Sequence, residues 1–160
     1  MRRDKEGRTT YGLGTLDKLY HQGLLDHVRN PRGKQQIQTP DIFYREENIF
    51  CGDAISVFVN VEQGNISQIA LEGEGCAVSI ASGSIMGEFL KGKSLEETFR
   101  YYQILSKYLS NEMISSEEAN GISYLEILGP VRDYPVRVKC ALLCWSAILQ
   151  GIRRYQPNTF

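Results

Sequence analysis

The clearest hydrophobic pattern lies in the middle of the chain, where two stretches of alternating side chains flank a turn. Residues 55–61, ISVFVNV, alternate β-branched residues with Ser, Phe and Asn, which is typical of a β-strand. The sequence EQGN at 62–65 is a turn signal, and residues 66–72 read as a returning strand. The pattern therefore predicts a β-hairpin.

Helical periodicity lies on both sides of this hairpin. Apolar residues at four-residue steps predict a helix from Leu16 to Arg29, which ends there because Pro31 disfavours helical backbone in the residue before it. After the hairpin, a run of small and apolar residues predicts a second helix, which Cys76 opens and Gly92 ends. Helices on both sides of a hairpin indicate an α+β fold.

Two more helices are predicted in the second half. Ser94 followed three residues later by Glu97 matches a capping box and predicts a helix to about Leu109. A buried stripe of apolar residues predicts a last helix over 136–154. Residues 33–49 and 110–135 are expected to connect these elements. The first connection has room for one short edge strand, and the second for one helical turn near Tyr124–Leu128.

Length and composition narrow the function classes. A chain of 160 residues corresponds to one domain, which we place at 15–155 between a flexible arm, 1–14, and a tail, 156–160. The 18 basic and 19 acidic residues leave a net charge of −1, which disfavours binding to nucleic acid. No secretory leader or membrane-spanning window is recognisable. We therefore expect a cytoplasmic protein without a membrane partner.

The cysteines are the candidates for chemistry. Four are too few for a disulfide scaffold, and reduced cytosolic thiols favour metal or sulfur chemistry. Cys51, Cys76 and Cys140 each lie at the end of a predicted element, where distant parts of a chain can meet. Asp53 lies one glycine beyond Cys51, so in an extended segment both side chains point the same way. Three thiolates and a carboxylate are a set that Zn²⁺ accepts in tetrahedral geometry.

Reactivity and spacing give different indications. Cys76 and Cys140 are expected in the first turns of helices, which lowers a thiol pKa, and Arg137 and Lys139 would add to that effect. The spacing contains no C-x₂-C pair, however. Spacing alone therefore leaves open whether the first two cysteines bind a metal or are buried as small hydrophobic residues.

The remaining cysteine and the two histidines are weaker candidates. Cys144 falls beside the apolar stripe of the last helix, so we interpret it as a core residue and keep it as a reserve ligand next to Cys140. His21 and His27 are six residues apart, about 240° around a helix, and cannot chelate one ion together. Both are expected at the surface or its boundary.

Four segments together resemble a known family. They run in family order: LDKLYHQGLLDHVRNPRG (16–33), CGD (51–53), GEGCAVSIAS (73–82) and VRVKCALLCW (136–145). On these motifs the chain resembles the U-type iron–sulfur cluster assembly proteins (SufU, IscU and the N-terminal part of NifU). It is more similar to the SufU branch than to the Isc scaffold branch, because Lys139 stands where Isc scaffolds carry a histidine. Residues 129–133, GPVRD, also depart from the chaperone-binding segment of those scaffolds.

The resemblance implies a fold, a site and a partner. The fold is an α+β domain with a small, mainly antiparallel sheet packed on one side by helices. The implied metal ligands are Cys51, Asp53, Cys76 and Cys140, and the implied ion is zinc. Cys51 is the expected acceptor of persulfide sulfur from a SufS-type cysteine desulfurase, whose docking would replace one ligand and free that thiol. Arg137 is expected to assist. The protein would then be a sulfurtransferase-like partner of the desulfurase rather than an independent enzyme.

Three other functions compete with sulfur transfer. The same thiolates would serve a scaffold that holds iron or an iron–sulfur cluster and passes it to downstream assembly or acceptor proteins. A closed four-ligand site also fits a structural zinc domain that acts as an interaction module. A Cys–His hydrolase is disfavoured because neither histidine belongs to a recognisable nucleophile motif.

Overall fold

The structure is a computed structural model that describes residues 2–3, 9–10 and 19–158. The described elements, in chain order, are β1 (Arg2–Arg3), β2 (Thr9–Thr10), α1 (Gln22–Arg29), β3 (Ile42–Asn48), β4 (Asp53–Glu62), β5 (Asn65–Glu74), α2 (Ala77–Leu90), α3 (Leu95–Leu109), α4 (Ser116–Gly121), a 3-10 segment (Ser123–Asp133) and α5 (Pro135–Tyr155). Within the arm predicted at 1–14, β1 pairs with β2 in antiparallel fashion, and the rest of that arm lies outside the described residues.

A three-stranded antiparallel sheet, in the order β3-β4-β5, forms the centre of the fold. The predicted hairpin is confirmed as β4 and β5, with Val59 opposite Ile69 and a bulge next to Asn60. The edge strand allowed within 33–49 is β3, in which Asn48 lies opposite Asp53. This register brings the β3–β4 loop, the start of β4 and the end of β5 to one end of the sheet.

The helices pack against the sheet and against each other. Helix α5 lies across β3 and β4, and α2 lies between α5, α1 and β5. Most of the core side chains come from the strands and from α2, α3 and α5, including Val57, Val59, Ile85, Leu105, Trp145 and Ile148, all fully buried. The predicted α+β class, with a small antiparallel sheet and helices in a single domain, is confirmed.

Helix boundaries follow the capping chemistry of the sequence. Ser94 and Glu97 form both hydrogen bonds of the predicted capping box, and α3 ends at Leu109 as expected. The helix predicted from about Leu16 ends at Arg29 as expected but is interrupted: Leu19 is helical, Tyr20 is in a turn, and α1 begins at Gln22 with His21 as its N-cap. The extended backbone of His21 interrupts the helical pattern there, while residues 16–18 lie outside the described residues.

The connection 110–135 contains more helix than predicted. Ser115 and Glu118 form a second capping box that opens α4, and the long 3-10 segment follows in place of the single turn expected near Tyr124–Leu128. The signal for α4 was present in the sequence as Ser-x-x-Glu. It was obscured by the polar composition of this short helix.

Helix α5 is apolar and long enough to cross a membrane by length and composition. Its most apolar 18-residue window is 61% buried inside the protein, however. Trp145 and Ile148 lie fully within the core. The helix therefore belongs to the core of the fold.

Candidate metal centre

Three loops and helix ends meet at one end of the sheet. The loop between β3 and β4 carries Cys51, and Asp53 is the first residue of β4. Gly52 between them has φ +72°, a left-handed conformation that favours glycine, and its N–H donates to the carbonyl of Asn48 at 2.9 Å. The sequence argument assumed an extended segment here. The structure shows a tight turn instead, and this turn directs both side chains to the same place.

The thiol of Cys140 reaches this loop from helix α5. Its Sγ lies 3.7 Å from the Sγ of Cys51. The ligand atoms of Cys51, Asp53 and Cys140 all lie within 4.8 Å of one another. Three of the four predicted ligands, separated by up to 89 positions along the chain, are therefore brought together by the fold.

Cys76 lies beside this group and does not belong to it. It is the N-cap of α2, and its backbone N–H donates to Asp53 Oδ1 at 3.0 Å. Its Sγ is 3.8 Å from the hydroxyl oxygen of Ser79. The fourth predicted ligand is thus held next to the carboxylate by its backbone, with its half-buried side chain at the same end of the fold.

The carboxylate of Asp53 is buried and fully engaged. Its Oδ2 accepts a hydrogen bond from Ser79 Oγ at 2.5 Å, and its Oδ1 accepts the N–H of Cys76. Burial raises the pKa of Asp53, but hydrogen bonds from Ser79 and from two cysteines lower it by more, so the pKa lies below its ordinary value. The group is an ionised carboxylate at neutral pH, which is the form that binds a metal ion.

The electrostatics of Cys140 differ from the sequence expectation. Cys140 is the sixth residue of α5 and is fully buried, beyond the first turn where a helix dipole acts on a thiol. Burial, the neighbouring Cys76 and the hydrogen bond with Cys51 raise the pKa of Cys140 to about 12. The expected lowering is therefore wrong for Cys140, and its thiolate form requires a cation beside the sulfur.

The basic residues before Cys140 lie around the thiols. Burial lowers the pKa of Arg137, but the neighbouring Cys76 and a side-chain hydrogen bond with Cys140 raise it by more, so the guanidinium is a permanent cation beside the thiols. The Nζ of Lys139 is instead 5.8 Å from the centre of the Phe50 ring. Of the two basic residues in the sequence argument, Arg137 is the one beside the thiols.

The solvent side of the site is apolar. Phe50, Cys51, Val136 and Lys139 contribute to a groove of about 380 Å³. Of the seven large hydrophobic side chains that the described residues expose, Phe50 (87%) and Val136 (72%) line this groove, and Ile49 (82%) directly precedes Phe50 in the chain. We call these three exposed side chains the apolar collar. Cys51 is half-buried in this collar, whereas Cys140 is fully buried behind it. An incoming reactant therefore meets Cys51 first.

The donor set fits zinc. Two thiolates bound to one tetrahedral Zn²⁺ at about 2.3 Å would have sulfur atoms about 3.8 Å apart. The observed separation of Cys51 and Cys140 is 3.7 Å, and Asp53 supplies an ionised oxygen ligand within the same cluster. The buried Cys140 thiol, with its raised pKa, also gains most from a cation. The residues present are therefore those that a zinc site needs.

The other sequence candidates have structural roles. Cys144 is buried, its Sγ is 3.6 Å from Ser82 Oγ, and burial raises its pKa to about 12, so it is a core residue as interpreted. His21 is a half-buried helix cap bonded to the carbonyl of Ile127 at 2.8 Å. The surface prediction for His27 is wrong: it is 5% exposed and bonded to Ser84, because its face of α1 packs against α2.

Two features of the site were missed by sequence reasoning. Ser79 contacts Asp53, and its sequence signal is a polar residue one helical turn after Cys76. The exposed pair Ile49-Phe50 lies at the end of the predicted connection 33–49 and directly before Cys51, and no role was predicted for it. An apolar pair directly before Cys-Gly-Asp was the available signal for a contact surface.

Known proteins that are similar to this chain have names that refer to NifU, SufU or IscU. Residues 19–115 match the protein family described as the NifU-like N terminal domain. The zinc-dependent sulfurtransferase SufU of Bacillus subtilis (strain 168) is 35% identical over 141 residues, which cover 87% of this chain and 92% of that protein. The iron-sulfur cluster assembly scaffold protein IscU of Streptococcus pyogenes serotype M1 is 32% identical over 142 residues, covering 89% of this chain and 87% of that protein.

A solved structure supports the fold. The crystal structure of a nitrogen-fixing NifU-like protein (N-terminal) from Brucella abortus superimposes with a TM-score of 0.78 at 24% identity. The match covers 91% of this chain and 99% of that one. The antiparallel sheet with its helices is therefore the fold that the NifU-like protein has.

Proposed function

This chain belongs to the family of the NifU-like N-terminal domain, within its SufU branch, and on that premise we propose that it is a zinc-bound sulfur acceptor for iron–sulfur cluster assembly. The proposed donor is the persulfide of a SufS-type cysteine desulfurase. The observation that carries the proposal is the cluster of Cys51, Asp53 and Cys140 beneath an exposed apolar collar.

The proposed ligands are the four residues of the sequence analysis. Cys51, Asp53 and Cys140 already lie within 4.8 Å of one another, and a rotation of the Cys76 side chain would add the fourth. A bound zinc ion would supply positive charge that holds the thiols as thiolates at neutral pH. Arg137, which faces the thiols, supplies a second, permanent positive charge.

Cys51 is the proposed acceptor because its half-buried thiol lines the apolar groove, whereas the thiol of Cys140 is fully buried. Its thiolate attacks the outer sulfur of the donor persulfide, forming a new S–S bond on Cys51. The S–S bond of the donor breaks, and its electron pair stays on the donor cysteine, which leaves as a thiolate. The reaction exchanges one thiolate and one persulfide for another such pair, so no oxidant or reductant is needed. The collar of Ile49, Phe50 and Val136 is the surface that a protein-bound persulfide must contact to reach this thiol.

The test is desulfurase stimulation with two matched variants. A SufS-type desulfurase is assayed for alanine formation from cysteine with the wild type, with Cys51→Ser and with Cys144→Ala. We expect the wild type and Cys144→Ala to stimulate turnover and to gain the mass of one sulfur atom. With Cys51→Ser, turnover should stay at the rate of the desulfurase without an added acceptor, and the variant should gain no sulfur. Equal stimulation by Cys51→Ser would exclude Cys51 as the acceptor.

The scaffold remains the second candidate, because the IscU protein of Streptococcus pyogenes serotype M1 is 32% identical across most of the chain. Anaerobic reconstitution with iron and sulfide distinguishes the two functions. A cluster that survives desalting and passes intact to an apo-protein would favour the scaffold. A cluster lost on desalting, together with persulfide on Cys51, would favour the sulfur acceptor.

A further inference from the structure

Asp53 is held by two donors from the first turn of α2. The N–H of Cys76, at the helix start, bonds Oδ1 at 3.0 Å, and the hydroxyl of Ser79, three residues later, bonds Oδ2 at 2.5 Å. The side chain of Cys76 makes no capping hydrogen bond, and the Asp53 carboxylate at the start of β4 accepts the N–H of this N-cap residue. A carboxylate with one donor on each oxygen cannot rotate about its last bond without losing a hydrogen bond.

The single proton of Ser79 has a preferred acceptor. Its oxygen lies 2.5 Å from the Asp53 carboxylate and 3.2 Å from the carbonyl oxygen of Cys140. The shorter contact has the length of a charge-assisted O–H···O⁻ bond, which is about twice as strong as a neutral one. Ser79 is buried, so water does not compete for this proton. The hydroxyl therefore lies between two proposed metal ligands, bonded to the side chain of one and near the backbone of the other.

We propose that Ser79 is the positioning residue of the metal centre, which fixes the orientation of the Asp53 carboxylate toward the ion. The inference rests on the proposed function for the presence of the metal. Residues that hydrogen-bond a metal ligand from behind set its orientation, and their loss typically weakens metal binding about 10- to 100-fold. Ser79 has this geometry, and it does not itself need to touch the ion.

The same helix offers a matched control. Ser82 is also buried on α2, and its hydroxyl donates to the carbonyl of Ala141 at 2.5 Å, one residue along α5 from Cys140. Both serines therefore place a hydroxyl against a carbonyl oxygen of α5, but the single proton of Ser79 goes to Asp53, whereas Ser82 donates to Ala141. Ser82→Ala removes this interhelical hydrogen bond, together with the contacts of Ser82 Oγ with Cys144 Sγ and Trp145 Nε1, and leaves the Asp53 carboxylate untouched.

The experiment compares metal binding by the wild type, Ser79→Ala and Ser82→Ala. Zinc affinity is measured by competition with a chromophoric chelator, and the visible absorption of the Co²⁺-substituted protein reports ligand geometry. Melting temperatures of the metal-free proteins report the cost of the lost hydrogen bonds. We expect Ser79→Ala to weaken zinc binding about 10- to 100-fold and to shift the Co²⁺ bands. Ser82→Ala should keep the wild-type affinity and spectrum, even where its melting temperature falls.

Other outcomes of this comparison would contradict the positioning role of Ser79 or separate it from the proposed function. Wild-type affinity in Ser79→Ala, or an equal loss in Ser82→Ala, would overturn the positioning role. A wild-type protein that binds no zinc would overturn both this inference and the proposed function. If Ser79→Ala weakens zinc binding while the wild type accepts no sulfur, the positioning role stands and the proposed function fails.

Discussion

Helix α2 carries two polar clusters that differ in how their charges are balanced. The thiol cluster at its start contains Cys51, Asp53, Cys76 and Cys140. The histidine cluster lies further along, where Ser84 Oγ is 2.7 Å from His27 Nδ1 and accepts the backbone N–H of Arg32 at 2.8 Å. Both clusters join α2 to other elements through hydrogen bonds from buried serines.

The histidine cluster pairs both of its carboxylates with a guanidinium. The Arg32 guanidinium forms ion pairs with Asp26 at 2.8 Å and with Glu88 at 3.2 Å, and Tyr124 donates to Glu88. The thiol cluster instead gathers three thiols and a carboxylate around a single guanidinium, that of Arg137. The carboxylates of the histidine cluster already have a cation as partner, whereas a cluster of three thiols and a carboxylate has room to bind a further cation. The comparison explains why chemistry is expected at one end of α2 and not at the other.

Removal of the metal tests this difference between the thiol cluster and the histidine cluster. Of the tests of this difference, it has the largest expected effect. At a free zinc concentration about 1,000 times its dissociation constant, binding would add about 4 kcal/mol to the free energy of unfolding. For a domain of this size that corresponds to about 8–16 °C in melting temperature. We therefore expect a chelator to lower the melting temperature by this amount without unfolding the chain, because the core does not depend on the site.

The controls for metal removal are the ligand variants. Metal analysis should find about one zinc per chain in the wild type, and a loss of zinc in Asp53→Ala and Cys140→Ala. Added chelator should not lower the melting temperature of either variant further. An unchanged wild-type melting temperature after verified metal removal would contradict the coupling between site and fold.

The histidine cluster should respond to pH rather than to metal. Burial and the neighbouring Arg32 lower the pKa of His27 below its ordinary value of about 6.5, although Glu88 and Asp26 partly oppose this. The unfolded chain therefore binds a proton more readily than the folded one. The contribution of neutral His27 is complete above about pH 6.5 and is lost as the pH falls through the pKa of the folded state.

His27→Gln measures this contribution. In metal-free protein at pH 7.5, we expect the variant to lose about 1–3 kcal/mol of unfolding free energy, because the buried hydrogen bond with Ser84 is replaced by a poorer one. The difference from the wild type should shrink as the pH falls below about 6.5. Zinc affinity should stay at the wild-type level. A difference that is constant with pH would show that His27 is not buried in its neutral form.

Cys144 provides the smallest expected effect. Its sulfur is buried between the two clusters, against Ser82, and burial raises its pKa to about 12. Cys144→Ala should therefore keep the zinc content and the sulfur acceptance of the wild type. Its melting temperature should fall by a few degrees because the sulfur leaves a small cavity. A loss of zinc would show that Cys144 is a ligand of the metal site and not only a core residue.

The sequence by itself determined the elements whose signals are local. Alternation predicted the hairpin, the Ser94–Glu97 pair predicted the start of α3, and the apolar stripe predicted α5. The same reasoning placed Cys51, Asp53, Cys76 and Cys140 at element ends, and the family motifs identified them as a set. The predictions of the hairpin and of the two helices succeeded because alternation, capping and turn chemistry depend on neighbours within a few positions of the chain, whereas the ligand set stays a prediction.

Only the tertiary structure decided how those residues meet. It replaced the extended Cys51–Asp53 segment by a turn, buried Cys140 so that its pKa rises to about 12, and brought Ser79 against the carboxylate. It also buried His27 under α2, against the surface prediction. Burial, desolvation and contacts between residues far apart in the chain set these properties, and local sequence contains no measure of them.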